Sequence, residues 1–99
     1  MVSVRWSPNA RDDLRGIVDF VKRDSVQAAQ SLTDRILTST ERLGSFPESG
    51  RVCPEFPTEP YREVISGNFR VIYRLNRNTV WIVAVVHGAR ILDREMLPD

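Results

Sequence analysis

Arginines and a single histidine hold most of the chemistry open to this chain. Arg70 and Arg74 stand four residues apart in FRVIYRL, Arg62 precedes them in YREVIS, and Arg51 and Arg90 flank the region. A guanidinium binds phosphate through paired N–H donors and can stabilise charge developing on a phosphorane. The competing readings are a solvated edge, ion pairs with Glu55, Glu59 or Glu63, or a docking site for an acidic or amphipathic partner segment. His87 is the only histidine. An imidazole at a strand end can serve as general acid or base, because histidine ordinarily titrates near neutrality. A packed, hydrogen-bonded histidine is the plainer alternative. Glu55 or Glu59 could supply a carboxylate base, although loop glutamates are mostly solvated charges. One histidine, one cysteine and no acidic cluster at ligand spacing make no metal set. Neither a phosphate-binding glycine loop nor a serine-nucleophile motif occurs. No cofactor is expected.

These residues need a sheet to position them. Tyr61 to Arg74, YREVISGNFRVIYR, reads as a hairpin turning at Ser66-Gly67-Asn68, since Gly and Asn tolerate the positive φ of a tight turn. In the return strand, Phe69 to Leu75, period 2 sets Phe69, Val71, Tyr73 and Leu75 against Arg70, Ile72 and Arg74. Asn76-Arg77-Asn78 turns into Thr79–His87, which is apolar on both faces and therefore central. Strict alternation there puts Val80, Ile82, Ala84 and Val86 on one face. Trp81, Val83, Val85 and His87 fall on the other. Val2 to Trp6 reads as a first strand. Ser7-Pro8 then starts a helix with the stripe Ala10, Leu14, Ile17, Val18, Val21. Asp24 or Ser25 caps a second helix, with Ala28 or Ala29, Leu32, Ile36, Leu37, Thr40 and Leu43 as its stripe. The prolines between Pro47 and Pro60 leave a loop with at most a short edge strand at Arg51 to Cys53. Ala89 to Asp99 is a tail whose Ile91, Leu92, Met96 and Leu97 can cover one sheet face. The order β-α-α-β-β-β predicts an α+β fold: an antiparallel helical hairpin packed on one face of a mostly antiparallel sheet.

The chain's 99 residues make one small domain. The formal charge of +1, from 14 basic and 13 acidic side chains, argues against a general polyanion binder. No apolar leader follows Met1, and the longest apolar run, Val80 to Val86, cannot span a bilayer. One cysteine forms no internal disulfide, which fits a cytoplasmic location.

The strand followed by SPNARDDL, the helical hairpin, FPESGR at Phe46 to Arg51, YREVISGNFRVIYR and VVHGARIL at Val85 to Leu92 together resemble the RelE/ParE superfamily of bacterial toxins. The resemblance covers nearly the whole chain. It implies a type II toxin neutralised by a cognate antitoxin whose C-terminal segment wraps it. Two branches share the fold. RelE-like members cleave mRNA in the ribosomal A site; ParE-like members bind DNA gyrase and trap it on cleaved DNA.

Carried over by the resemblance, Arg70 matches the nuclease arginine that stabilises the transition state, and His87 matches a histidine of some nuclease members. Arg62 stands near an expected basic position. Val64 occupies a place where RelE has a second lysine. The C-terminal tyrosine of RelE-type sites is missing, Gly88-Ala89 following His87 instead. The near-neutral charge and incomplete nuclease set favour the gyrase inhibitor, contacting its target through the tail or through a helical face bearing Arg11, Arg15, Lys22 and Arg23. The alternative is a ribosome-dependent endonuclease, with Arg62 and Arg90 holding phosphates; a relative without toxicity is a third possibility. Arg62, Arg74 and Arg90 are the expected phosphate or partner contacts. Ile72, Trp81, Val83 and Val85, if the tail leaves them open, form an apolar patch for the antitoxin.

Overall fold

The computed structural model describes residues 1–97. In chain order it contains β1 (Ser3–Trp6), α1 (Pro8–Lys22), α2 (Val26–Glu41), β2 (Arg51–Val52), β3 (Tyr61–Ser66), β4 (Phe69–Asn76) and β5 (Thr79–His87), with short 3-10 turns at Arg42–Gly44 and Arg94–Met96. The α+β architecture is as the sequence predicts. Both helices start on serine caps: Ser7 Oγ accepts from Ala10 N at 3.1 Å, and Ser25 Oγ accepts from Ala28 N at 3.0 Å. Each cap satisfies one amide that would otherwise lack an intrahelical partner. Pro8 fits the first helical position because its missing N–H costs nothing there. Along α2 the inward stripe runs through Ala29, Ile36 and Thr40, while Leu37, expected inside, is 38% exposed.

The sheet runs β1-β5-β4-β3-β2, parallel only between β1 and β5. The β3–β4 turn is tighter than the sequence reading, because Ser66 still pairs with Phe69 and only Gly67-Asn68 remain between them. Gly67 has φ 60°, which supplies the left-handed residue such a turn needs. On one face the helices bury Val71, Tyr73, Val80, Ile82 and Val85 with Ala10, Ile36 and Leu43. The opposite face carries a second core of Ile72, Val83, Ala84, Val86, Cys53 and Tyr61, closed by Leu92 and Leu97 of the tail.

Strict alternation in β5 is the expectation that fails. Ile72 pairs with Ala84 but Tyr73 pairs with Ile82, so Val83 is an extra residue. A bulge of this kind reverses side-chain parity beyond it. Val85 therefore joins Val80 and Ile82 on the helix side, and Ala84 and Val86 turn to the tail side. Helix α1 stabilises the irregularity. Asn9 Nδ2 donates to Val83 O at 2.9 Å, and Asp13 Oδ2 accepts from Val85 N at 3.0 Å. These contacts satisfy backbone groups of β5 beyond the end of β1.

The segment Phe46 to Arg51 is fixed from the sheet below it. Tyr73 Oη donates to Pro47 O at 2.8 Å and accepts from Gly50 N at 2.9 Å. Arg62 Nη1 donates to Gly50 O at 2.8 Å and Glu48 O at 3.3 Å. A Cβ on Gly50 would lie 2.6 Å from the Tyr73 hydroxyl and 2.7 Å from Glu63 O. Backbone cannot yield as a flexible side-chain end does. Gly50→Ala should therefore cost about 1–3 kcal/mol in chemical denaturation, the usual range for overpacking; an unchanged midpoint would show that the loop shifts freely.

Candidate functional site

Arg70 lies under the tail, 5% exposed, at the middle of a buried ion cluster. Its Nη1 donates to Glu55 Oε2 and its Nη2 to Glu55 Oε1, both at 2.7 Å. Nε donates to Glu63 Oε1 at 2.8 Å, and Nη2 also bonds that oxygen closely. Nη1 further donates to Arg90 O at 3.0 Å. All five guanidinium N–H groups thus have acceptors. The charge-assisted bonds from Arg70 hold the Glu55 carboxyl down at about 2, and the bonds to Glu55, with those to Glu63, push Arg70 further up. Glu63 Oε2 is bound in turn by Arg51 Nε at 2.5 Å. Glu55 Oε2 also accepts from Leu92 N at 2.9 Å, so one loop carboxylate ties the tail to the sheet.

Cys53, Glu55 and Glu63 bring possible ligand atoms within 4.8 Å of one another, a grouping the sequence does not reveal. The cation among them is Arg70 itself, whose Nη2 lies 3.6 Å from Cys53 Sγ. Burial, with Glu55 adding to it, pushes the Cys53 thiol up to about 11. A protonated thiol at neutral pH is neither nucleophile nor ready ligand.

His87 is on the other side of the sheet. It pairs with Phe69, which packs on the helix-side core, whereas Arg70 pairs with Val86 of the tail-side core. The His87 ring is exposed and meets Phe69 edge-on at 5.7 Å between centroids. Its Nδ1 accepts from Ala89 N at 3.2 Å. Arg62 directly opposes Tyr73 and points to the helix-side loop, not toward Arg70. Arg74 shares the Arg70 face but is four residues further along β4. Arg90 gives its carbonyl to Arg70, while the residue lines a groove near Asp13. The structure therefore distributes Arg62, Arg70, Arg74, His87 and Arg90 over both faces of the sheet.

The expected open apolar patch is not open. Ile72 and Val83 are buried beneath Leu92 and Leu97, and Val85 faces the helices because of the bulge. Of that set only Trp81 keeps partial exposure. The tail covers this face as expected through Leu92 and Leu97, but Ile91 is 79% exposed; residues 98–99 lie outside the described residues.

The open apolar surface is elsewhere. A groove of about 630 Å³ runs between α1 and the end of β5, with Ile17, Phe20, Val21, Phe69 and Met96 beside Asp12, Asp13, His87 and Arg90. Phe20 is 67% exposed. Gly16 also lines the groove, and a Cβ added there would meet nothing within 4 Å. A mid-helix glycine costs about 0.5–1 kcal/mol relative to alanine, so nothing inside the fold accounts for it. In the sequence it is visible as the lone glycine within the first helix. No helix among the described residues is long and apolar enough to cross a membrane.

Residues 4–92 match the family described as the ParE toxin of the type II toxin–antitoxin system parDE. A curated protein, toxin RelE2 of Caulobacter vibrioides, is 33% identical over 92 residues, spanning 92% of this chain and 100% of the relative. A solved structure of the chromosomal ParDE system from P. aeruginosa superposes with a TM-score of 0.73 at 20% identity, covering 88% of this chain and 96% of the other. The RelBE2 toxin–antitoxin complex from Mycobacterium tuberculosis gives 0.58 at 20% identity, covering 90% and 93%. At these identities the structural matches speak for the fold.

Proposed function

As the chain belongs to the ParE toxin family of type II toxin–antitoxin systems, within the RelE/ParE superfamily, we propose that it arrests growth by binding DNA gyrase rather than by cleaving mRNA. The carrying observation is that Arg70 and His87 sit on opposite faces of the sheet. A general acid or base must lie within hydrogen-bond reach of the group that the charge-stabilising cation serves. These two cannot share one scissile phosphate without refolding β4 and β5. Arg70 has, besides, no N–H to spare for a phosphate.

The cognate antitoxin docks an amphipathic segment in the α1–β5 groove. Phe20 and Ile17 supply apolar contact, Asp12, Asp13 and Arg90 supply a polar rim, and Gly16 lets the partner's backbone approach α1. The assignment replaces the Ile72, Val83 and Val85 patch, which the fold uses for its own cores.

The test is induced expression of wild type and His87→Ala, following growth and primer extension on an abundant mRNA, with supercoiling assays on purified protein. Growth arrest without codon-linked cleavage is expected, retained within about twofold in His87→Ala, with gyrase inhibited and cleaved DNA trapped. Codon-linked cleavage that disappears in His87→Ala would overturn the reading in favour of the endonuclease. For the groove, Gly16→Ala should raise stability by up to about 1 kcal/mol yet weaken antitoxin binding at least tenfold. Unchanged antitoxin affinity would move the docking site elsewhere.

A further inference from the structure

We propose that the free edge of β1 is a docking site for an extended segment of another protein, one that alternates acidic and apolar residues and joins the sheet as a further strand. β1 ends the sheet and has β5 on its inner side only. Ser3 N donates to Asn78 O at 3.1 Å and Ser7 N to Ile82 O at 2.9 Å, so the backbone of Ser3, Arg5 and Ser7 faces β5. Val4 and Trp6 fall between these residues and turn their N–H and C=O groups out of the sheet. The edge has defined ends. Val2 N is taken by Gly44 O at 2.9 Å, and Pro8, which has no N–H, starts α1. The stretch from Val4 to Trp6 stays open, with backbone groups of the kind that strand addition pairs. The site shares no lining residue with the α1–β5 groove and does not depend on which target the toxin acts on.

The side chains at this edge define the segment. A cavity of about 450 Å³ lies along it, lined by Val4, Arg5, Trp6, Pro8, Arg11 and Trp81. The register divides that lining between the two faces of the sheet. Val4 and Trp6 oppose Val80 and Ile82 and pack on the helix-side core, the side on which α1 carries Arg11. Arg5 opposes Trp81, which packs on the tail-side core. A compact ligand meets one face or the other. An extended strand meets both, because its successive side chains point to opposite faces. Beside β1, its residue opposite Arg5 lies on the tail side, and the residues before and after lie on the helix side next to Val4 and Trp6. Charge makes the first of these acidic. Arg5 and Arg11 are exposed, and among the described residues neither has an ion-pair or hydrogen-bond partner through its side chain. The lining includes no acidic side chain. The half-buried Val4 and Trp6 make the flanking residues apolar. A second copy of this chain fits poorly. In the antiparallel pairing that sets Val4 against Trp6 of the copy, Arg5 would face Arg5, and like charges directly opposed are destabilising.

The probe is an acetylated octapeptide alternating valine and glutamate, titrated at low salt into the purified full-length toxin beside its valine–lysine counterpart. Trp6 and Trp81 are the only tryptophans and lie on opposite faces, so Trp81→Phe and Trp6→Phe each leave one indole to report its own face. The valine–glutamate peptide should bind saturably, at least tenfold more tightly than the lysine peptide, and should change the emission of both single-indole variants. It should also slow amide exchange at Val4 and Trp6 at least tenfold. Arg5→Glu, at an exposed position, should lose the preference for the glutamate peptide while far-UV circular dichroism stays unchanged. Absence of saturable binding at millimolar peptide, equal affinity for the two peptides, an unaltered preference in Arg5→Glu, emission change in one single-indole variant only, or unprotected Val4 and Trp6 amides would each overturn the proposal. So would a dimer of the free toxin that protects the same two amides, which would assign the edge to a second copy.

Discussion

Arg70→Ala is expected to lower the unfolding free energy by about 3–5 kcal/mol, the usual cost of removing one partner from a buried charge cluster. Small domains are stable by roughly 5–15 kcal/mol, so the variant would sit near the edge of folding. The loss has two sources. Glu55 would remain beneath the tail without its cation, and Glu63 would keep only the exposed Arg51. The tail would lose its anchor at Arg90 O. Urea unfolding monitored by circular dichroism measures the change. Arg70→Lys should recover only part of it, because an ammonium cannot reproduce the planar fork that engages two carboxylates and a carbonyl. Replacing the cluster together, Arg70→Met with Glu55→Gln and Glu63→Leu, should recover more, since no charge is then stranded. A loss below about 1 kcal/mol for Arg70→Ala would mean that the guanidinium is not structural. The expected result also governs how toxicity data are read: an inactive Arg70→Ala protein reports a lost fold before it reports lost catalysis.

Much of this architecture is legible in the chain because local signals agree with it. Ser7-Pro8 and Ser25 mark both helix starts, Gly67-Asn68 marks the hairpin, and the unbroken apolar run from Val80 to Val86 marks the sheet's interior. The bulge at Val83 is not legible. Every residue from Val80 to Val86 is apolar, so a one-residue slip leaves no polar side chain on the wrong face to betray it. That single silent event moves Val85 to the helix side and turns His87 away from the face of Arg70. The buried role of Arg70 is half legible. Glu63 has the parity of Tyr61, and a two-residue turn sets it opposite Ile72, diagonal to Arg70. Reading the turn as three residues hides that relation. Glu55 comes from a proline-rich loop whose path depends on tertiary packing, so no periodicity could assign its partner.

Acid should unfold the protein through Glu55. Its carboxyl is held at about 2 in the fold, chiefly by hydrogen bonds from Arg70, against an ordinary value of 4.5. A depressed carboxyl contributes stability that is complete above its unfolded pKa and disappears as pH falls through the folded one. The contribution is therefore full above about pH 5 and is lost between roughly pH 5 and 2. At 1.36 kcal/mol per pKa unit, the difference amounts to up to about 3 kcal/mol. The side chain is only 16% exposed, so solvent screens the pair little. Asp13 acts in the opposite sense. Burial raises its carboxyl despite the bond from Val85 N, so protonation there offsets a little of the loss. Urea unfolding at fixed steps from pH 7 to pH 2.5 should show stability falling steeply below pH 5. Glu55→Gln should be less stable at pH 7 and distinctly flatter across the acid range. If wild type and Glu55→Gln fall in parallel, other carboxylates dominate, and the tail is not held by the Arg70–Glu55 pair. A flatter curve for the variant links the acid limb to the residue that ties the loop, the sheet and Leu92 together. That result would explain why one loop carboxylate matters to the whole fold: it partners the buried arginine and anchors the tail that closes the second core.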